Sequence, residues 1–226
     1  MKIYVQLLRL ANPFLRTETH RWLAASMVFS VLLVVVRIFY TSTFTFIFLN
    51  WNLFLAFIPY AISSFAEDNA TWVKDRFRLA ALLAAWVVFI PNSFYIITDL
   101  FHLGMSNVPL WFDLALLLSF AWNGLLLGVL SVRQIEKIIH SIWPRLHELF
   151  FLFPIMCLNA LGMYIGRYLR FNSWDVISNP LELVGDISYL VLHPLASKPA
   201  WAMISCYAVL MTFIYLTIKK ISRTIS

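Results

Sequence analysis

The sequence predicts an all-α fold: a polytopic membrane helix bundle of six transmembrane helices, with both termini in the cytoplasm. Three observations carry this. Of 226 residues, 62% are hydrophobic and only 12% charged, with a mean hydropathy of +0.81. A soluble domain carries about 25% charged residues, so this chain has too little polar surface to cover a water-soluble globule. Six apolar runs approach the ~20 residues needed to cross a ~30 Å hydrocarbon core. Of the 17 Lys and Arg, all but Arg37, Arg167, Arg170 and Lys198 fall on the N-terminal side of such a bundle, which the positive-inside bias makes cytoplasmic.

The elements follow in order. Residues 1–16 mix basic and apolar side chains at near-helical spacing and read as a helix lying on the inner leaflet. The first span, 22–40, exceeds a signal-peptide core and has no small-residue cleavage site close behind it, so it is retained. A tight turn at Thr41–Thr43 leads to the second span, 44–65, which opens with Asn50 and Asn52. The third, 79–98, contains Pro91, which frees a carbonyl one turn earlier and loosens the helix. The fourth, 111–132, carries Gly124 and Gly128, a small-xxx-small pair that lets another helix approach closely. Residues 133–147 read as a second interfacial segment. The fifth span, 148–166, ends in a second such pair, Gly162 and Gly166, and the sixth covers 200–218. Between them, 167–199 holds SYLVLHPL, too short to span and suited to capping the outer mouth. No repeat or soluble segment interrupts residues 1–226, which form one membrane domain.

Several function classes drop out. The charge of +6 reports topology, and without a basic run or nucleic-acid motif there is no nucleic-acid partner. Cys157 and Cys206 both lie in apolar spans and imply no disulfide framework. No nucleophile elbow supports a serine or cysteine hydrolase.

Polar side chains instead gather at one depth, toward the outer leaflet. If the third helix persists, Asn92, Tyr95, Asp99 and His102 share one face, at i, i+3, i+7 and i+10. Asp113 opens the fourth span, Arg37 closes the first, and Arg167, Arg170, Asn172 and Asp175 follow the fifth. An ionisable residue inside a span is costly and marks a candidate functional site.

The strings NLFLAFIP, FIPNSFYIITDLFHL, WFDLALLLSFAWNGLLLG and GRYLRFNSWD resemble a family of bacterial integral membrane proteins catalogued as a domain of unknown function. The resemblance runs from about residue 45 to 218. It implies a multi-pass protein of the bacterial plasma membrane and assigns no catalytic residue.

The residues themselves support two kinds of chemistry. Asp99, His102 and Asp113 form a candidate acid–base or metal-ligating set, suited to zinc or manganese with an open position for an activated water. The alternative has Asp99 capping or pairing with an arginine. Arg37, Arg167 and Arg170, together with Asn92, Tyr95, Asn172 and Asp175, form a candidate site for an anionic lipid or lipid-linked substrate, since guanidinium binds phosphate in a bidentate fork. Equally, Arg167 and Arg170 can pair with Asp99, Asp113 or Asp175 to hold the bundle mouth together. The expected function is thus a pocket open to the outer leaflet. It serves either a hydrolase or transferase acting on a lipid or envelope precursor, or a non-enzymatic lipid-binding or accessory protein. A transporter would need polar groups through the full depth, which Ser119, Asn123 and Ser205 alone supply thinly.

Overall fold

Glycine and proline positions decide how the helices meet. In the computed structural model, which describes residues 18–104 and 108–225, the chain forms nine α-helices among the described residues. They are α1 (Glu18–Thr41), α2 (Phe48–Asp68), α3 (Ala70–Lys74), α4 (Arg76–Tyr95), α5 (Leu110–Ile142), α6 (Glu148–Tyr164), α7 (Asp175–Ser178), α8 (Pro180–Leu192) and α9 (Lys198–Ile225). A 3₁₀ helix, Ile96–His102, prolongs α4, and a π-helical turn, Ile165–Leu169, prolongs α6. No strand occurs among the described residues. Six of these elements are long and apolar enough to cross a membrane: α1, α2, α4 with its 3₁₀ extension, α5, α6 with its π turn, and α9. The chain is a multi-pass membrane helix bundle. The amphipathic segment expected at 1–16 lies outside the described residues.

Helix α4 is clasped from both sides by glycines. A Cβ at Gly124 would lie 2.7 Å from the Ser93 carbonyl oxygen, and one at Gly128 2.9 Å from the Phe94 ring. On the opposite side, a Cβ at Gly162 would lie 2.5 Å from Cβ of Pro91, and one at Gly166 3.1 Å from the Tyr95 ring. In lipid, where apolar contact with a neighbouring helix gains little over contact with acyl chains, close backbone approach supplies the association energy. The two small-xxx-small pairs therefore seat α5 and α6 on the two sides of α4. Helix α1 packs on α5, α2 fills the angle between α4 and α5, and α9 packs on α6.

Helix α5 departs from the expected outline. The sequence suggests a span ending near 132 and a separate surface segment, yet α5 runs unbroken to Ile142. Ile135, Ile138 and Ile139 are buried in the main core cluster, so their spacing serves packing against neighbouring helices. Glu136 is buried among them and accepts from Lys219 at 2.6 Å and from the Tyr215 hydroxyl at 2.5 Å. Lys219 also reaches Glu148 at 2.9 Å. These contacts fasten α5, α6 and α9 at the end of the bundle where α9 finishes. Lys137 joins Glu67 at 2.8 Å at the same end.

Several mid-depth polar groups find partners on neighbouring helices, which hydrocarbon does not supply. Trp86 donates to the Ser131 hydroxyl at 2.7 Å, and Ser131 donates to the Pro59 carbonyl at 2.9 Å. Asn123 donates to the Ser30 hydroxyl at 2.9 Å, tying α5 to α1.

Candidate functional site

At the opposite end of the bundle the polar residues fall into two buried ion pairs and one cavity. The first pair closes the α1–α2 turn against α5. Arg37 donates through Nε to Oδ1 of Asp113 at 2.9 Å, and both side chains are 2% exposed. The Phe46 ring lies 4.2 Å from the Arg37 guanidinium carbon, completing its apolar surroundings. Asp113 sits in the first turn of α5, where the helix dipole also favours a carboxylate.

The second pair depends on the change of helix type after Tyr95. A 3₁₀ helix turns about 120° per residue against about 100° for an α-helix. From Tyr95 to Asp99 the side chain is therefore carried roughly 80° further round than an α-helix would place it. Asp99 consequently leaves the stripe expected with Asn92 and Tyr95 and turns inward, 1% exposed. Its Oδ2 accepts from Asn52 of α2 at 2.9 Å. Its Oδ1 has no hydrogen bond, and the nearest cation is Arg167 of the π turn at 3.6 Å. Three residues on, the 3₁₀ repeat stacks His102 directly over Asp99. Nδ1 of His102 lies 3.1 Å from the Asp99 carbonyl oxygen and 3.4 Å from Arg167. That nitrogen can donate to the carbonyl or accept from the guanidinium, according to its tautomer. Arg167 also lies over the Phe101 ring at 5.3 Å.

Asp99, His102 and Asp113 thus do not converge on one point. Asp99 and His102 are neighbours, whereas Asp113 is held by Arg37. Among the described residues no group of three or more His, Cys, Asp or Glu is placed to hold a metal ion. The expectation of a three-residue zinc or manganese set is corrected on this ground. It assumed an unbroken α-helix to residue 102 and left Arg37 without a partner. Of the structural alternative, in which Arg167 and Arg170 pair with a carboxylate, the Arg167–Asp99 pair is found, whereas Asp113 takes Arg37 as its partner.

The remaining polar residues line a cavity of about 350 Å³ between α4, α6 and the segment that follows α6. Its polar wall comprises Asn52, Asn92, Tyr95, Arg170, Asn172 and Ser173. Asn92 donates to Ser173 at 2.7 Å, which binds the segment after α6 to α4. Asp175 does not face the cavity. Its Oδ2 accepts from the backbone N–H of Asn172 at 2.6 Å and its Oδ1 from Ser178 at 2.9 Å. Those bonds, the backbone one foremost, hold its carboxyl below the usual carboxylate range. Asp175 therefore shapes the cavity rim from outside. Asn52 and Ser173 complete the wall without having been singled out as site residues from sequence. Asn52 carries a signal in hindsight, a second amide beside Asn50 at the head of a span. Ser173 carries none.

Arg170 stands apart from the other arginines. Its side chain makes no hydrogen bond or ion pair with the described residues, and no carboxylate lines the cavity it faces. Its backbone is left-handed, at φ 62° and ψ 27°, terminating the π turn where glycine is the usual residue. A bulky side chain there costs about 1–2 kcal/mol. Such strain is retained at functional positions more readily than elsewhere, and π turns concentrate there too. Together these features describe an anion-receptive cavity: one cation without a counter-charge among the lining residues, sharing the wall with the Tyr95 and Ser173 hydroxyls and the Asn172 amide, while the Asn52 and Asn92 amides are engaged by Asp99 and by Ser173.

No curated protein and no solved structure matches the chain. A family model does, over residues 51–218, a stretch that contains the whole cavity wall and both members of the Asp99–Arg167 pair. The chain belongs to the family described as Protein of unknown function (DUF1361).

Proposed function

We propose that this is a protein of the bacterial cytoplasmic membrane whose cavity faces the outer leaflet and holds the anionic group of a lipid or lipid-linked envelope precursor. One observation carries the reading: Arg170 lines a cavity that contains no carboxylate and has no partner of its own among the described residues. A guanidinium without a counter-charge beside five neutral hydrogen-bonding side chains favours phosphate or carboxylate. The asymmetry of Lys and Arg, sparse on the Arg170 side, supports placing that side outward.

A catalytic role on the same ligand, as a hydrolase or transferase, has one specific observation in its favour. Asn52 both lines the cavity and donates to the buried Asp99. It thus links the cavity to an acid–base pair, Asp99 and His102, set just behind the wall. Binding comes first, because the Asp99 carboxylate is not itself among the cavity-lining groups.

The test is native mass spectrometry of gently solubilised protein, with elemental analysis of the same sample. Wild type should retain one anionic lipid-class adduct, and Arg170→Asn, which tolerates the left-handed backbone, should lose most of it. Equal retention by the variant rejects the assignment to Arg170. Stoichiometric zinc or manganese would instead favour metal-assisted chemistry.

A further inference from the structure

The cavity is not polar throughout, and its polarity is ordered along the bundle axis. Helices α4 and α6 both run toward the end that carries Arg170. Along α4 the wall passes from Val88 and Pro91 to Asn92 and Tyr95, and along α6 from Gly162 and Ile165 to Arg170, Asn172 and Ser173. Val88 lies four residues before Asn92, about 6 Å deeper along the axis. The inner part is therefore apolar, and the polar groups of the wall lie in its outer part beside Phe171, Val176 and Leu183, in keeping with the gradient of a lipid leaflet.

The cover of the cavity points the same way. Val176 of α7 and Leu183 of α8 close one side of it. The same two helices turn Ile177 and Leu181 outward, 87% and 86% exposed. Val184, Val191 and Leu192 are also exposed. Short helices with one face on the protein and large aliphatic residues on the other are suited to the membrane interface, not to water. The cover is then in contact with lipid, and the cavity beneath it is reached from the side.

We infer that the ligand is a phosphate-bearing membrane amphiphile. It enters laterally beneath α7 and α8, with its phosphate on Arg170 and the start of its chain along Val88, Pro91, Gly162 and Ile165. This rests on the reading of Arg170 as an anion site and adds that a soluble anion of the same charge is a poor ligand. The close contact of Gly162 with Pro91 forms the floor of the chain path.

The test uses full-length protein in detergent, titrated separately with dioleoyl phosphatidylglycerol, glycerol 1-phosphate and inorganic phosphate, and read by native mass spectrometry and thermal shift. Because its chains hold the lipid in the protein's own micelle at high local concentration, it should bind roughly 100-fold more tightly, referred to total ligand, than glycerol 1-phosphate. Val88→Trp, which fills the chain path, should weaken lipid binding at least tenfold and leave any weak phosphate binding in place. Leu183→Trp supplies the same test from α8 should the first variant fail to fold. Arg170→Asn should abolish binding of both kinds. If glycerol 1-phosphate binds as tightly as the lipid and neither tryptophan variant matters, the amphiphile assignment is overturned while the anion site stands. If lipid binding is unchanged in Arg170→Asn, the anion site itself falls.

Discussion

Single side chains at the polar end of the bundle divide by what they lean on. Arg37 and Asp113 form a buried pair, so removing one leaves a buried charge without its counter-charge. Asp113→Ala should cost about 3–5 kcal/mol of stability, whereas Arg37→Met with Asp113→Leu should recover most or all of it. Thermal unfolding in detergent of the single and double variants checks this, and a larger loss in the double variant would contradict it. Arg170 behaves in the opposite way. Arg170→Asn removes a charge from a strained backbone position and should leave the melting temperature unchanged or higher while ligand is lost. Asp175 adds a pH dependence of its own. Its carboxyl is held below the ordinary range, so its hold on the 172–178 turn persists above the usual carboxylate pKa of about 4 and is lost as pH falls below that. The Asn172 amide proton, followed by NMR, should keep its hydrogen-bonded shift from neutral pH down to about 5 and move upfield below about 4.

Among the elements, the helix after Pro91 is where sequence and structure part company. The spacing of Asn92, Tyr95, Asp99 and His102 is legible only if the helix type is known, and nothing in IITDLFH announces a 3₁₀ turn. That one change turns Asp99 to Asn52 and Arg167, away from Asn92 and Tyr95, which line the cavity. The glycine pairs were legible, because small-xxx-small spacing has one dominant use in lipid, and all four glycines meet α4 or its immediate extension. The segment after residue 132 was misjudged for a plain reason. Basic residues spaced among isoleucines suit a membrane surface and a buried helix edge alike, and only the contacts of Ile135, Glu136 and Ile139 separate the two. Gly162→Leu places side-chain atoms where Pro91 already stands, 2.5 Å from the position of the new Cβ. It should destabilise the protein by about 1–3 kcal/mol, as overpacking does, with Gly185→Leu, which meets nothing nearby, as the control. Comparable melting temperatures for the two variants would show that α4 and α6 are not seated as described.

For the molecule as a whole, composition and the length of apolar runs suffice to give six crossings, because the hydrocarbon thickness leaves few alternatives. The identity of the pocket was only partly available, since which arginine is paired depends on helix phase and on contacts far apart in sequence. Orientation rests on the distribution of Lys and Arg. A single cysteine placed at Ser178, in a background lacking Cys157 and Cys206, should react with a membrane-impermeant thiol reagent from outside intact cells, and one at Ser222 only after lysis. The reverse pattern would invert the proposed topology. The central claim is that a lipid-borne anion occupies the cavity with its charge on Arg170. The most direct measurement is an experimental density map of the protein in a bilayer of bacterial polar lipids. The account predicts head-group density within hydrogen-bonding distance of the Arg170 guanidinium, continuing as a rod past Val88 and Ile165. A cavity closed by side chains, with Arg170 paired to a carboxylate of the chain, would contradict it.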